Sequence, residues 1–276
     1  MIIMTLVVIG PVTRDLIVIG EEKSHKVGGA TYYQSFVFEE FFNDYMAIVN
    51  CDDKSLINGF PDLDKVRVIE KDTTHFFINR YPQKDNPDVR EQLSNFADIP
   101  ICPEDLEEIL PDEIDAFVIN PLNRYDFPAE TIDFLKDFNV PIFISIQGFL
   151  RLQDVNVNDN YTIKLENFEE LPSILSGVDA IFLDEEEANI IGVDYDVDEI
   201  VITNGSRGSI IISDGEIRID PVKCENVVDT TGCGDTFMAS YITQKLLLKS
   251  SEIAGNFASM IASEKIENFG PYTPNG

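Results

Sequence analysis

The feature that most constrains the fold is an alternation of strand-like and helix-like segments from about residue 103 to the C-terminus. Short runs rich in Ile, Val and Phe, at 116–120, 140–146, 180–183 and 200–203, are separated by stretches with apolar residues at helical spacing. Such alternation favours parallel strands that are covered by helices on both faces. With 276 residues, the sequence predicts a single α/β domain spanning 1–276.

The N-terminal third contains two segments that do not follow this alternation of strands and helices. At about 11–28 and 65–95, short extended runs flank polar turns, as in β-hairpins. A helical stretch and one further strand separate the two segments. We therefore expect both segments to leave the body of the domain and to form a small accessory sheet.

The most informative short segment is 229–235, Asp-Thr-Thr-Gly-Cys-Gly-Asp, which is called the glycine turn below. It follows a strand-like run at 216–228 and opens a helix-forming stretch at 236–248. Glycines at such a junction let backbone N–H groups converge, and the helix N-terminus adds partial positive charge, so the turn suits an anion. A carboxylate in the same turn, Asp235, suits a general base beside a phosphoryl group. The pattern alone leaves open an ordinary helix start, with Asp235 as a first-turn charge.

Further polar clusters follow other predicted strands, at 147–148, 184–187 and 203–208. In an α/β sheet the ligand crevice lies beyond the carboxyl ends of the strands, so these clusters are expected on one rim with the glycine turn. The pair Gly28 and Gly29, which precedes a helical stretch, is another place where a ligand can approach the backbone. Each cluster has a plainer interpretation as a simple turn or a charged first helical turn.

Charge and composition exclude several classes of function. Fifty acidic residues against 20 basic ones give a formal net charge of −30, which argues against nucleic acid or an anionic membrane as partner. Four cysteines without C-x-x-C spacing and two histidines make a zinc site or serine–histidine catalysis an unfavourable interpretation. The sequence has no apolar run of membrane-spanning length and no basic leader, so a cytoplasmic protein is expected.

Taken together, these segments resemble the ribokinase-like (PfkB) carbohydrate kinase family over nearly the whole chain. The residues that carry the resemblance are Asp15, the Gly28-Gly29 pair, Asp184-x-x-Glu187, Thr203-x-Gly205-x-x-Gly208 and Asp229-Thr230-x-Gly232-x-Gly234-Asp235. The resemblance implies a ribokinase-like three-layer α/β/α sandwich with a mostly parallel central sheet. It also implies a small β-sheet lid, which the inserts at 11–28 and 65–95 would supply.

The resemblance further implies transfer of the γ-phosphoryl group of ATP to a hydroxyl of a sugar, cyclitol or nucleoside. Asp235 would be the general base. Backbone N–H groups of Gly232, Cys233 and Gly234 would stabilise the charge on the phosphoryl group. The metal positions implied are Asp184 and Glu187, which would organise Mg²⁺ through water, and Asp229, which would lie near a monovalent cation such as K⁺.

The remaining roles implied by the resemblance concern the two ligands. The acceptor would contact Asp15, Gly28 and Gly29, and the nucleotide site would include Thr203, Gly205, Gly208 and Asn256. A chain without a G-x-x-x-x-G-K-[ST] loop must cradle phosphates in another way, and a glycine turn is one such way. A homodimer formed through the lid is also expected, because exposed lid strands gain from being covered.

The sequence departs from the family pattern at informative positions. Cys233 stands where a smaller residue is usual, and Asp184 replaces the usual asparagine. Tyr33 is predicted to contact the acceptor, and it lies where members acting on ribose or fructose place an asparagine, which disfavours those acceptors. The segment from Gln147 to Arg151 is similar to members that act on cyclitols such as inositol, so both residues are predicted to contact the acceptor.

Two other functions compete with the kinase. A non-catalytic sugar- or nucleotide-binding relative of the same fold would have no need for Asp235, so the presence of that carboxylate favours the enzyme. A dinucleotide-dependent oxidoreductase is disfavoured because no G-x-G-x-x-G follows the first strand.

Overall fold

The structure, a computed structural model, describes residues 5–81, 91–224 and 226–274. The strands described there are β1 (Leu6–Ile9), β2 (Thr13–Ile19), β3 (Glu22–Gly28), β4 (Tyr45–Cys51), β5 (Val66–Glu70), β6 (His75–Tyr81), β7 (Glu91–Ser94), β8 (Ala116–Ile119), β9 (Ile142–Ser145), β10 (Arg151–Val157), β11 (Asn160–Leu165), β12 (Val178–Asp184), β13 (Val197–Thr203), β14 (Ser209–Ile212) and β15 (Glu216–Ile219). The α-helices are α1 (Ala30–Phe41), α2 (Pro103–Glu107), α3 (Ala129–Lys136), α4 (Gln147–Leu150), α5 (Leu171–Leu175), α6 (Glu185–Ile191), α7 (Cys233–Leu246) and α8 (Ser251–Ile266).

The larger of two sheets has nine strands in the order β15-β14-β13-β12-β9-β8-β1-β4-β5. Every neighbouring pair from β13 to β5 is parallel, and only β14 and β15 are antiparallel additions at one edge. Strands buried on both faces need continuous apolar runs, and β1 and β8 consist of such runs with all four residues of each buried. The predicted mostly parallel central sheet is confirmed.

Helices cover both faces of this sheet. On one face α1, α7 and α8 contribute fully buried side chains such as Phe38 and Tyr241 to a first apolar core. On the other face the shorter helices contribute Leu106, Ile132 and Leu175 to a second core. Each such side chain contributes roughly 1.5–3 kcal/mol of burial free energy. Two cores around one sheet give the three-layer α/β/α sandwich that was predicted. Among the described residues, no helix is both long and apolar enough to cross a bilayer.

The smaller sheet, called the lid sheet below, has six strands in the order β10-β11-β7-β6-β2-β3. Only β2 and β6 pair in parallel, and the other neighbours are antiparallel. Most residues of β3, the strand at one edge of this sheet, are exposed. The lid sheet therefore exists as predicted, and the homodimer through it stays a prediction.

The composition of the lid sheet differs from the expected one at two places. Strand β5 pairs with β4 and extends the large sheet, because Val66 and Ile69 are buried there. The hairpin of β10 and β11, which the sequence analysis did not identify, forms one edge of the lid. Its polar composition hides the strand pattern, but Asn158 and Asp159 have φ values of 53° and 62°, as a tight two-residue hairpin turn requires. Part of the 65–95 insert, at 82–90, lies outside the described residues.

The strand expected at 216–228 is shorter than predicted. Strand β15 ends at Ile219, and the described residues from 220 to 230 have no regular structure. Pro221 has no N–H group to continue the ladder, and the Val222 and Val227 side chains are about half exposed instead of packed in a sheet. The glycine turn is therefore reached through an irregular segment and is positioned by α7 and α8.

Candidate active site

A cleft of about 430 Å³ lies between the lid sheet and the large sheet. It is lined by the carboxyl ends of β9, β12 and β13, by the first turn of α7 and by side chains of the lid sheet. Parallel neighbouring strands bring their carboxyl ends to one edge, which is where α/β sheets bind ligands. The polar clusters of the sequence analysis that were expected on one rim therefore do share that rim.

Most residues expected at the site line this cleft. They are Asp15, Gly29, Tyr33, Gln147, Arg151, Asp184, Glu187, Thr203, Gly205, Gly232, Cys233, Gly234 and Asp235. Four others do not line it: Gly28, Gly208, Asp229 and Asn256.

The glycine turn forms the N-terminus of α7. Gly232 is the N-cap residue with φ 73°, a left-handed conformation, and its carbonyl accepts the N–H of Thr236 at 2.9 Å. The N–H of Cys233 donates to the Thr230 carbonyl at 3.2 Å, so part of its capacity is used inside the turn. The next N–H group, of Gly234, lies in the first helical turn, where a helix offers no acceptor. The turn thus presents donors and the positive end of a helix to the cleft.

The ring of Tyr33 packs against the glycine turn. A Cβ atom at Gly232 would lie 2.3 Å from Cδ1 of the Tyr33 ring, so the turn rests directly on that ring. Burial raises the pKa of the Tyr33 phenol, and the carboxylates of Asp229 and Asp15 raise it further. The phenol therefore stays protonated and is a hydrogen-bond donor in an acidic cleft.

The Cys233 thiol contacts α8. Its Sγ donates to the carbonyl of Ala262 in α8 at 3.7 Å. Burial raises the pKa of the thiol to about 11, so it is neutral and is not a nucleophile. Only the backbone of Cys233 is suited to a role in the cleft.

Two carboxylates form the acidic side of the cleft at the start of α6. Asp184 and Glu187 form a capping box, in which Asp184 accepts the Glu187 N–H at 2.8 Å and Glu187 accepts the Asp184 N–H at 2.9 Å. Glu187 is only 4% exposed. Burial, and then the charge of Asp184, raise the pKa of Glu187 to about 7. A cation in the cleft would stabilise the ionised form of the Glu187 carboxylate.

The acidic side suits a hydrated divalent cation better than a protein-coordinated one. In the part of the chain that the structure describes, no group of three or more His, Cys, Asp or Glu side chains is placed to hold a metal ion. Mg²⁺ commonly keeps several waters and binds through one or two carboxylates together with substrate phosphates. Asp184 and Glu187 fit that arrangement.

The lid side of the cleft carries a chain of polar side chains. Thr13 Oγ1 donates to Asp15 at 2.7 Å, Asn79 Nδ2 approaches the same carboxylate at 3.5 Å, and Gln92 Nε2 donates to Asn79 at 2.8 Å. Gly28 makes room for this group, because a Cβ atom there would lie 2.6 Å from the Asp15 carboxylate. Thr13, Asn79 and Gln92 were missed by the sequence analysis.

Helix α4 and the start of β10 form another part of the cleft lining. Gly148 packs against the backbone of Pro121, where a Cβ atom would lie 2.2 Å from the carbonyl carbon. This packing lets Gln147 and Arg151 line the cleft. Arg151 is 7% exposed, and the Cζ atom of its guanidinium lies 5.7 Å from the centre of the Phe77 ring on the lid. Both residues are thereby placed between the two sheets.

Gly208 and Asn256 have visible structural roles outside the cleft. A Cβ atom at Gly208 would lie 2.1 Å from the carbonyl oxygen of Ile219, so this glycine permits close packing beside β15. The Asn256 amide is on the exposed face of α8 and donates to the Glu252 carbonyl at 2.8 Å. Their predicted contacts with a nucleotide stay predictions.

Asp229, the first residue of the glycine turn, does not line the cleft and has several hydrogen-bond partners. Its carboxylate accepts the N–H of Thr231 at 3.0 Å, the N–H of Gly270 at 3.1 Å and the ammonium of Lys26 at 3.2 Å. Its backbone carbonyl accepts the Lys265 ammonium at 2.7 Å. Burial alone would raise the pKa of Asp229, but Lys265 and these donors lower it, so the residue is ionised.

Comparison with known proteins agrees with this architecture. Residues 151–275 match the model of the pfkB family of carbohydrate kinases. A nucleoside kinase of Methanothermobacter thermautotrophicus is 40% identical over 74 residues, which cover 27% of this chain and 24% of that protein. The alignments with other curated relatives also span only part of those proteins, 38% and 52% in two nucleoside-type kinases.

Solved structures match over nearly the whole chain. A pyrophosphate-dependent kinase in the ribokinase family, complexed with a pyrophosphate analogue and myo-inositol, has a TM-score of 0.82 at 23% identity and covers 97% of each chain. Arabidopsis thaliana ribokinase, complexed with ribose and ATP, has a TM-score of 0.70 at 19% identity, covering 96% of this chain and 93% of that one. The predicted resemblance is confirmed: the chain has the ribokinase fold, and over residues 151–275 it matches the pfkB family of carbohydrate kinases.

Proposed function

We propose that the protein is a kinase that transfers the terminal phosphoryl group of a donor to a hydroxyl of a sugar, cyclitol or nucleoside. One observation carries the proposal: a single cleft joins a carboxylate, Asp235, to a helix-terminal anion site and to the polar side chains of a lid. A site that only bound an anion would gain nothing from a carboxylate in the same turn. A base beside an anion site is what phosphoryl transfer to a hydroxyl needs.

In this proposal Asp235 accepts the proton of the acceptor hydroxyl as the oxygen attacks the terminal phosphorus. A new P–O bond forms, and the bond between that phosphorus and the bridging oxygen of the donor breaks. The remainder of the donor leaves with the electron pair of the broken bond. Negative charge on the moving phosphoryl group is stabilised by backbone N–H groups of Gly232, Cys233 and Gly234, above all that of Gly234, and by the dipole of α7.

The donor phosphates would lie between the glycine turn and the ends of β12 and β13. Atoms added at Gly234 or Gly205 would meet nothing within 4 Å, so both backbones border open space. Asp184 and Glu187 would hold a hydrated Mg²⁺ there, which when bound neutralises charge on the donor phosphates. Thr203 lies at the same edge and is suited to contact the donor.

Two donors deserve direct comparison, ATP and pyrophosphate. Arabidopsis thaliana ribokinase is described with ATP, whereas another protein of the same fold is described as pyrophosphate-dependent. Asn256, the residue expected near adenine, is bonded to its own helix and does not line the cleft. We propose ATP as the donor, and pyrophosphate is the alternative that this position of Asn256 favours.

For the acceptor we propose a compact polyol with several hydroxyl groups. Asp15, Asn79 and Gln92 offer acceptors and donors on the lid side, and the protonated Tyr33 phenol faces them from α1. Gln147 and Arg151 line the same cleft and add further polar groups. This density of polar groups suits a cyclitol or sugar ring, and both remain within the proposed class.

A coupled assay tests the proposal against a non-catalytic binding relative. Sugars, cyclitols and nucleosides are each incubated with the protein and Mg²⁺, once with ATP and once with pyrophosphate. Release of ADP or orthophosphate that depends on one acceptor supports the kinase and identifies its donor. Acceptor binding by calorimetry without turnover under either donor would instead show a binding protein.

Replacing Asp15 by Ala is expected to raise the KM for the acceptor by about 10- to 100-fold, because a hydrogen bond to a charged group contributes roughly 1.5–3 kcal/mol. The KM for the donor should change little, since Asp15 lies on the lid side. Glu22→Ala on the exposed edge of the same hairpin is the matched control. Equal losses for both substrates would point to a misfolded lid and contradict the assignment.

Replacing Glu187 by Gln is expected to raise the Mg²⁺ concentration for half-maximal rate by about 10-fold or more, the range measured when a metal site loses a supporting group. The amide oxygen can still accept the Asp184 N–H, so the helix cap is kept. Glu186→Gln, an exposed neighbour in the same helical turn, is the control. The measurement is a Mg²⁺ titration of the initial rate. Titration curves of the variant and the wild type that superimpose would contradict a role for Glu187 in the metal site.

A further inference from the structure

Lys265 is a fully buried lysine that the proposed mechanism does not use. It lies in the last turn of α8, and its side chain has no exposed area. Taking an ammonium group out of water costs several kcal/mol unless charged or polar partners compensate. The ammonium donates to the backbone carbonyl of Asp229 at 2.7 Å, at the entrance of the glycine turn.

Acidic groups around this ammonium offset part of the cost of its burial. Burial lowers the pKa of Lys265 below its ordinary value, and the charges of Asp229 and Asp235 counter part of that lowering. Cys233 also lies near it, and Lys26 is a second cation nearby. The ammonium therefore lies next to the turn that carries the proposed base and anion site.

The backbone around the ammonium is fixed from both sides. The carbonyl of Ile266, the next residue in the chain, accepts the N–H groups of Val228 at 2.9 Å and Asp229 at 3.2 Å. The N–H of Thr231 is held by the Asp229 carboxylate. The end of α8 thus sets the path by which the chain enters the glycine turn.

A monovalent cation at Asp229 does not fit these contacts. In the selectivity filters of K⁺ channels, backbone carbonyl oxygens replace the water shell of the ion, so free oxygen ligands are what such a cation needs. The Asp229 carbonyl is taken by Lys265, and its carboxylate is taken by Lys26 and two backbone N–H groups. The K⁺ expected near Asp229 would have to displace these donors.

We propose that the Lys265 ammonium is a built-in replacement for a monovalent cation, so that phosphoryl transfer by this protein is independent of K⁺. This inference rests on the proposed kinase function. Lys265 is a positioning residue: it orients the Asp229 carbonyl and adds fixed positive charge behind the anion site, and it neither touches substrate nor transfers a proton. A compact ammonium on a flexible stem is suited to that replacement.

The first test needs no substitution. Initial rates are measured with K⁺, Na⁺ or tetramethylammonium as the sole monovalent cation, at fixed ionic strength and saturating Mg²⁺. Equal rates in all three are expected. Strong activation by K⁺ over tetramethylammonium would overturn the proposal.

The second test removes the ammonium. Lys265→Met keeps the unbranched stem and is expected to lower kcat by about 10- to 100-fold, the loss expected when a hydrogen bond to a charged group is removed. Lys265→Ala shortens the side chain, and NH₄⁺, K⁺ or ethylammonium should then partly restore kcat. Full activity of Lys265→Met, or failure of every cation to rescue Lys265→Ala, contradicts the proposal. Lys249→Met, an exposed lysine between α7 and α8, is the control.

A third readout is independent of catalysis. In Lys265→Ala the same small cations should raise Tm through binding at the vacated position, whereas Tm of the wild type should respond equally to K⁺ and tetramethylammonium. This shift is expected whether or not the proposed kinase activity is found, so the failure of one proposal is distinguishable from the failure of the other. A variant that is not stabilised by NH₄⁺ or ethylammonium would show that Lys265 replaces no cation.

Discussion

Asp235→Asn is expected to lower kcat by about 10²- to 10⁴-fold, the range that general base catalysis contributes. The amide has nearly the shape of the carboxylate and keeps its place in the first turn of α7, but it cannot accept the proton of an attacking hydroxyl. Donor binding should be preserved, because in the proposal the backbone N–H groups and the helix terminus carry most of the affinity for phosphates.

The measurement combines steady-state kinetics with calorimetric binding of the donor. Asp214→Asn, in the exposed hairpin between β14 and β15, is the control for loss of one negative charge. Near-normal turnover of Asp235→Asn would show that another group accepts the proton. Loss of donor binding together with turnover would assign Asp235 to the anion site instead.

Gly232→Ala is expected to abolish most activity and to destabilise the fold. At φ 73° an alanine costs roughly 1–2 kcal/mol. Its Cβ atom would also lie 2.3 Å from the buried ring of Tyr33, so either the turn or the ring must move. A displaced turn misaims the N–H groups, and removal of a single such donor costs about 10²- to 10³-fold in kcat.

Gly234→Ala provides the matched comparison for stability. Its Cβ atom would meet nothing within 4 Å, and its φ is not positive. Thermal unfolding should therefore show a lowered Tm for Gly232→Ala and an unchanged Tm for Gly234→Ala. Equal Tm values for the two variants would contradict the close contact between the glycine turn and Tyr33.

The parts of the site that the sequence predicts are those formed by local pattern. Asp184 and Glu187 follow a strand and start a helix, so their place on the rim follows from the alternation of elements. Asp235 is predictable for the same reason, since two glycines and a helix start surround it.

The parts that escaped prediction depend on pairing between distant segments. Asn79 and Gln92 reach the cleft only because β6 pairs with β7. The alternation of residues within each strand does not reveal which face of the strand lines the cleft. Lys265 looks like an ordinary basic residue in a last helical turn, which the helix dipole favours anyway. Its burial against Asp229 depends on how α8 packs behind the glycine turn.

The connectivity of the lid sheet has a consequence for how the protein folds. Its six described strands come from three separate stretches of chain, and one neighbouring pair, β2 and β6, is parallel and joins residues about 60 apart in sequence. Forming such a pairing costs the chain entropy of loop closure before any stabilising contact is made. These pairings therefore form slowly. The large sheet must bring the three stretches together first. We expect amide protons of the lid strands to gain protection from hydrogen exchange after those of β1, β4 and β8 during refolding.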